Sequence, residues 1–299
     1  MDKKEERIKL IVDSGCDISI KQAKKYQIDV LPISIIWNGK VYRDFYDFDC
    51  KEFYKMMHEN EELPNTSQVT PEMFLAAFHR AKEEGYKNII SISLNSNCSG
   101  IYQSSVIARD MFMENVANRD MRIEVFDSAN YSYMYGAVVI DTAREIKKGT
   151  TVDELIPFIK DKIARVEGYA VIHTLDFLKR TGRISRINGI IGDVLDIKPI
   201  LYLGDGELVA VDKVRGRHRS ITRMIENVKR RIDPDQKEIF LMVADMEEEE
   251  KDTVKQLKEL MPNVKTVRSN VGSVIATHAG PHIIGIGYYR RAEDIKKSD

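Results

Sequence analysis

Cysteine is scarce and unpaired in this 299-residue chain. Cys16, Cys50 and Cys98 make an odd set with no C-x-x-C spacing, which argues against a disulfide framework or a cysteine-rich zinc site and fits a reducing compartment. Long apolar runs are absent: no segment approaches eighteen consecutive apolar residues, and the opening MDKKEERIKLIVD lacks the apolar stretch of a secretory leader. A soluble, cytoplasmic protein is expected. Excess charge is missing as well, with Lys+Arg 46 against Asp+Glu 47 and a net charge of -1, so no global field draws the chain to nucleic acid or anionic lipid. The G-x-G-x-x-G, Walker A and G-x-S-x-G signatures do not occur, which weakens dinucleotide, nucleoside-triphosphate and serine-hydrolase readings.

What is present is a regular alternation of elements. IKLIVDSG at 8–15 predicts a strand ending in a polar loop, followed by a helix through ISIKQAKKY. Asn38-Gly39, between two β-rich runs, predicts a hairpin. Thr70 and Pro71 suit the N-cap and first position of a helix whose Phe74, Phe78 and Ala81 share a face. The strand NIISISL, a helix from about Ile101, the strand MRIEVFDS and a helix stopping at Gly149 follow. This alternation implies a mostly parallel sheet with flanking helices.

The second half reads differently. GYAVIHT, a hairpin around Gly204-Asp205-Gly206, and the strands EIFLMVA, VKTVRS and IIGIGYY predict an α/β unit with an antiparallel component. The length suits two domains, an N-terminal α/β domain at 1–165 and a C-terminal α/β domain at 166–299, with Pro157 expected to break or kink the helix before the boundary. The acidic run Glu247 to Glu250 is expected to form a solvated helix face.

Three predicted strands of the first half end in short polar residues: Asp13-Ser14, Asn95-Ser96 with Ser99, and Asp127-Ser128. Carboxyl ends of parallel strands line the edge where open α/β sheets bind ligands; capping of the following helices is the competing explanation. Asn65-Thr66-Ser67-Gln68 reads alone as a turn before a helix. LKRTGRIS at 178–185 suits an anion held by a guanidinium fork and backbone donors, or equally a solvated basic loop. His278 and His282 flank a Gly-Pro turn without a third ligand at metal spacing, which speaks against zinc. A hydrolase or acyltransferase pairing Ser96 or Ser99 with His278 is the alternative activity, and a lipid or metabolite sensor is a third reading.

Taken in order, DSGCDIS, LPNTSQVTPEMF, NCSGIYQS, the DS at 127 and 128, LKRTGRIS, LDIKPIL, KVRGR and HAGPH resemble the DegV family over nearly the whole chain. The resemblance implies two α/β domains and a fatty-acid-binding carrier, similar to the lipid-binding subunits of bacterial fatty-acid kinase, with no cofactor. It implies a long-chain fatty acid buried by its tail, with its carboxyl group presented between the domains to a separate ATP-dependent kinase subunit. The acyl phosphate then passes to an acyltransferase of phospholipid synthesis, with transient membrane contact on the way.

By the same resemblance, Thr66 matches the Thr of the family's T-S-Q loop and Ser96 the second Ser of S-S-x-L-S-G-T, both bonding the carboxyl group. Arg183 matches the Arg of G-R-I-S and His278 the His of H-x-G-P-G, both near the carboxyl or phosphoryl group. Ser67, Ser99, Gly100 and His282 are further head-group or kinase-facing candidates, with KVRGRHR on the kinase-facing side. Four positions depart from the pattern: Asn95 replaces the first Ser, Cys98 a Leu, Ile101 a Thr and His282 a Gly.

Overall fold

In the first half Ser19, Asp49, Thr70 and Thr151 each cap the helix that follows them, and most strands alternate with helices. The computed structural model describes residues 6–188 and 197–295; Leu195 and Asp196 of the LDIKPIL segment lie outside the described residues. β1 (Ile8–Asp13) leads to α1 (Ile20–Tyr26), whose Ser19 and Gln22 form a reciprocal capping box. After β2 (Asp29–Leu31), the strands β3 (Ser34–Trp37) and β4 (Lys40–Arg43) turn at Asn38 and Gly39, with φ of 49° and 71°. Those are the two left-handed residues a tight hairpin needs. Next come α2 (Cys50–Glu59), β5 (Asn65–Ser67), α3 (Pro71–Glu83) capped by Thr70, β6 (Asn88–Ser93), α4 (Ile101–Glu114) and β7 (Arg122–Asp127). β2-β1-β6-β7 form a wholly parallel sheet, and β4-β3-β5 a small antiparallel one.

α5 (Tyr133–Lys147) and α6 (Val152–Arg165) lead into the second half. The expected break at Pro157 does not occur, and α6 runs through it. Pro157 and Asp153, whose carbonyl loses its donor, are both exposed, so that carbonyl is open to water. There follow β8 (Val166–Ile172), α7 (Asp176–Arg180), β9 (Ile187–Asn188), β10 (Ile197–Gly204), β11 (Glu207–Arg215), α8 (Arg217–Arg231), β12 (Glu238–Val243), α9 (Glu247–Leu260), β13 (Lys265–Asn270), α10 (Ser273–Ala279) and β14 (Ile283–Tyr289). The sheet order is β13-β12-β14-β8-β10-β11-β9, with parallel pairing at β12–β13 and β11–β9 and antiparallel pairing elsewhere. The chain is therefore mixed α/β with the antiparallel component its second half predicts. Glu249 departs from the expected solvated face: it is buried, 3.2 Å from Arg217 Nε and 3.5 Å from His173 Nε2. No helix among the described residues is long and apolar enough to cross a membrane.

The seven-stranded sheet has two differently covered faces. Tyr169, Val171, Ile284, Ile286 and Tyr288 pack on the α8 side with Ile221, Met224 and Ile225. Ala170, Ile172, Leu201, Ile283 and Tyr289 point the other way, into the core shared with the first half. α5 lies on that inner face and touches β1 on its other side. Its residues Tyr133 to Ile140 are all buried, as expected of a helix apolar on every side.

Both faces of α5 depend on close approach. A Cβ on Gly136 would stand 2.2 Å from the Cys16 carbonyl oxygen, and one on Gly287 would stand 2.7 Å from Met134 Cγ. At the far end of this core, Asp17 accepts hydrogen bonds from Ser132 and from the Gly272 N–H that precedes α10. Desolvation by burial pushes the Asp17 carboxyl up to about 8. Overpacking the α5 contact with Gly287→Ala is expected to cost roughly 1–3 kcal/mol in urea unfolding. Because the clash is with Met134, Gly287→Ala combined with Met134→Ala is expected to cost less than the two single changes summed.

Candidate functional site

Alternation along the strands turns a set of apolar side chains from the seven-stranded sheet toward the first half of the chain. Ala170 and Ile172 of β8, Leu201 and Leu203 of β10, Leu208 of β11 and Ile283 of β14 form one wall of a cavity of about 420 Å³, a size typical of small-molecule sites. Val274, Ile275 and Ala279 of α10, Leu178 of α7, and Ile33, Leu94 and Ile101 from the first half complete its apolar lining. The polar lining is Thr66, Ser67 and Gln68 at β5, Cys98, Ser99 and Gly100 before α4, together with Tyr131, Arg183 and His278. No acidic side chain lines the cavity among the described residues.

The polar groups are mostly donors. Thr66 Oγ1 and His278 Nε2 are 2.9 Å apart, joining β5 to α10. Burial, then the nearby Arg183 guanidinium, lowers the His278 pKa to about 4, so the ring is neutral at pH 7 and one nitrogen carries its proton. With that proton on Nε2, the ring donates to Thr66 and leaves the Thr66 hydroxyl proton available to a ligand. His278 Nδ1 is buried with no hydrogen-bond partner among the described residues. Arg183 donates through Nη1 to the Thr181 carbonyl at 2.6 Å, which orients the guanidinium beside the cavity.

α4 presents its first turn at the same place. Its N-cap is Gly100, with no side-chain cap, and although the Ile101 N–H reaches Ser99 Oγ at 3.4 Å, this end of the helix carries the positive end of its dipole, which favours an anion. The Gln68 amide lies directly against Gly100, where a Cβ would stand 2.5 Å from Gln68 Oε1. Thr66, Ser67, Ser99, Gly100, Arg183 and His278, named from four separate stretches of sequence, thus meet at one cavity.

Two residues named from the sequence lie outside this lining. Ser96 is exposed and does not line the cavity; its backbone N–H donates to Asp127 Oδ1 at 3.1 Å. The loop winds around fully buried Asn95, whose carbonyl accepts from the Cys98 and Ser99 N–H groups, and this winding turns Cys98 to Gly100 toward the cavity and Ser96 away. His282 also lies outside the lining, its ring between those of His58 and His173 at centroid distances of 5.5 and 5.4 Å.

The polar strand ends of β1 and β7 brace this loop. Asp13 is fully buried and accepts from Tyr135 Oη at 2.7 Å, Leu94 N–H at 2.8 Å and Gly15 N–H at 3.1 Å. Asp127 Oδ1 accepts from the N–H groups of Ser96 and Ala129. Gln68 and Tyr131 were not singled out by sequence. Gln68 follows directly on the Thr66-Ser67 pair, whereas nothing local marks Tyr131.

The His278 geometry predicts a measurable titration. An unfolded histidine protonates near 6.5 and the folded His278 at about 4, so between these values only the unfolded chain takes up this proton. The stability His278 contributes above 6.5 is lost as pH falls through about 4. A histidine-selective NMR titration of ligand-free protein is expected to place the His278 midpoint at about 4, and Arg183→Gln to move it upward.

Comparison with known proteins covers the whole of this architecture. The family model of uncharacterised DegV proteins matches residues 7–291. A DegV domain-containing protein of Caldanaerobacter subterraneus subsp. tengcongensis is 38% identical over 282 residues, covering 94% of this chain and 98% of that one. Among solved structures, a DegV lipid-binding protein from Thermotoga maritima superposes with a TM-score of 0.82 at 26% identity, covering 95% of this chain and all of its own. DegV of Bacillus subtilis, a fatty-acid-binding protein, gives 0.82 at 27% identity, covering 96% and 100%. Matched in sequence and fold from β1 to the end of β14, the chain belongs to the DegV family.

Proposed function

We propose that this protein is a non-catalytic carrier that buries the tail of a long-chain fatty acid and holds its carboxyl group for phosphorylation by a separate ATP-dependent kinase subunit. The observation that carries the reading is the composition of one cavity: an aliphatic wall from the sheet, and donors without acids at Thr66, which neutral His278 supports, Ser99, the α4 N-terminus and Arg183. The lipid- and fatty-acid-binding relatives of the same fold support it.

The two regions divide the work. Each buried methylene contributes about 0.8 kcal/mol, so about fourteen of them give about 11 kcal/mol before the costs of association. Hydrogen bonds to the carboxylate contribute about 1.5–3 kcal/mol each and fix its orientation. Hydroxyls such as Thr66, held by the neutral imidazole, bond the anion through one carboxylate oxygen and leave the other able to attack a phosphorus atom. The acyl phosphate so formed is suited to an acyltransferase of phospholipid synthesis, the partner the sequence resemblance implies.

A hydrolase or acyltransferase reading is less well supported. A nucleophile–histidine pair needs a basic imidazole oriented by a third group. His278 has a lowered pKa and no partner on Nδ1 among the described residues, and Ser96 is exposed.

Denaturing extraction of protein purified from a bacterial host is expected to release about one equivalent of fatty acid, identified by mass spectrometry; repeated lipid-free extracts would overturn the carrier reading. Thr66→Val is expected to weaken fatty-acid binding by roughly tenfold to hundredfold in a fluorescent displacement titration, the loss of one bond to a carboxylate. Stoichiometric labelling of one serine by a fluorophosphonate would favour the enzyme instead.

A further inference from the structure

The loop that carries Ser99 and Gly100 is tied to the opposite wall of the cavity by two amide side chains. Asn95 and Asn97 both donate through Nδ2 to the Gly206 carbonyl, at 3.0 and 2.9 Å. Asn95 is the hub of its own loop: its side-chain oxygen accepts from the Asn97 N–H at 2.9 Å, and its N–H donates to the Asn130 carbonyl at 3.2 Å. Gly206 and Asp205 are the two left-handed residues of the β10–β11 turn, with φ of 75° and 54°. The second cross-strand pair from that turn, after Gly204 with Glu207, is Leu203 with Leu208, and both line the cavity.

The hairpin tip is held from behind as well. Arg290, 2% exposed, donates to both carboxylate oxygens of Asp205, to Glu167 and to the Ala164 carbonyl. A buried ionic anchor therefore fixes the tip, while two neutral hydrogen bonds join it to the head-group loop. Neutral bonds to a shared carbonyl are the weaker connection and the one that opens at lower cost. Asn97 is exposed and Asn95 fully buried, so water competes for the Asn97 bond first.

We propose that Asn95 and Asn97 form a latch: they are positioning residues that hold the head-group loop against the hairpin tip and so set how long an acyl ligand is retained. This rests on the carrier reading. Release requires the wall bearing Leu203 and Leu208 to part from the loop bearing Cys98 to Gly100, and the two amide bonds cross that seam. A serine at position 95 would be too short to span it, so the asparagine there gives this chain a connection its loop would otherwise lack.

The test uses full-length protein loaded with cis-parinaric acid, whose fluorescence reports its transfer to phosphatidylcholine vesicles in a stopped-flow instrument. Asn97→Asp keeps the side-chain shape but sets an oxygen against the Gly206 carbonyl, and Asn97→Ala removes the contact. Each is expected to release the probe roughly threefold to tenfold faster, the effect of one neutral hydrogen bond, with the urea midpoint of the lipid-free protein unchanged. Asp205→Asn, which keeps a residue tolerant of the left-handed turn, is expected to speed release as well. Release within twofold of wild type in both Asn97 variants overturns the latch, as does faster release that merely follows a lowered urea midpoint. A wild-type protein that binds no probe defeats the carrier reading, and the latch with it.

Discussion

The spacing between the two large sheets is set by α5. Gly136 lets that helix rest against the Cys16 carbonyl on one side, and Gly287 receives Met134 on the other. Where α5 fills the interval the core is closed. Beyond it, over β8, β10 and β11, the sheet faces α10, the start of α4 and the loops around them across a gap, and the cavity occupies that remainder. Tyr135 of the same helix donates to Asp13, and Asp13 accepts from Leu94. The helix that separates the sheets is thus two hydrogen bonds from the loop that supplies Ser99 and Gly100.

Local structure was readable wherever a residue's own chemistry decides it. Asn38-Gly39 and Asp205-Gly206 adopt the left-handed turns their composition favours, and Thr70 caps α3 through the Met73 N–H. The polar side of the cavity was readable for a similar reason: Thr66, Arg183 and His278 lie in short stretches with recognisable patterns. The apolar wall was not. Ile172, Leu201 and Leu208 differ in no local way from Ile200 or Ile284 of the same sheet, which pack against α8. Only the pairing of distant strands decides which face borders empty space.

The misreadings have equally definite causes. Ser96 and Ser99 are alike in sequence, and the winding of the chain around buried Asn95 separates them. Pro157 is tolerated because exposure, not position along the helix, governs the cost of its missing donor. Glu249 sits in a run of four glutamates, yet the return of Arg217 from another helix draws that one carboxylate inward. For Glu249 a contact remote in sequence overrides a local tendency.

Asp17 gives the joint between the halves an unexpected character. With its carboxyl held at about 8, it is mostly protonated at neutral pH and meets Ser132 and the Gly272 amide as an uncharged acid. Dissolved salt therefore has little to screen at this contact, and what holds Asp17 to the start of α10 is shape and hydrogen bonding.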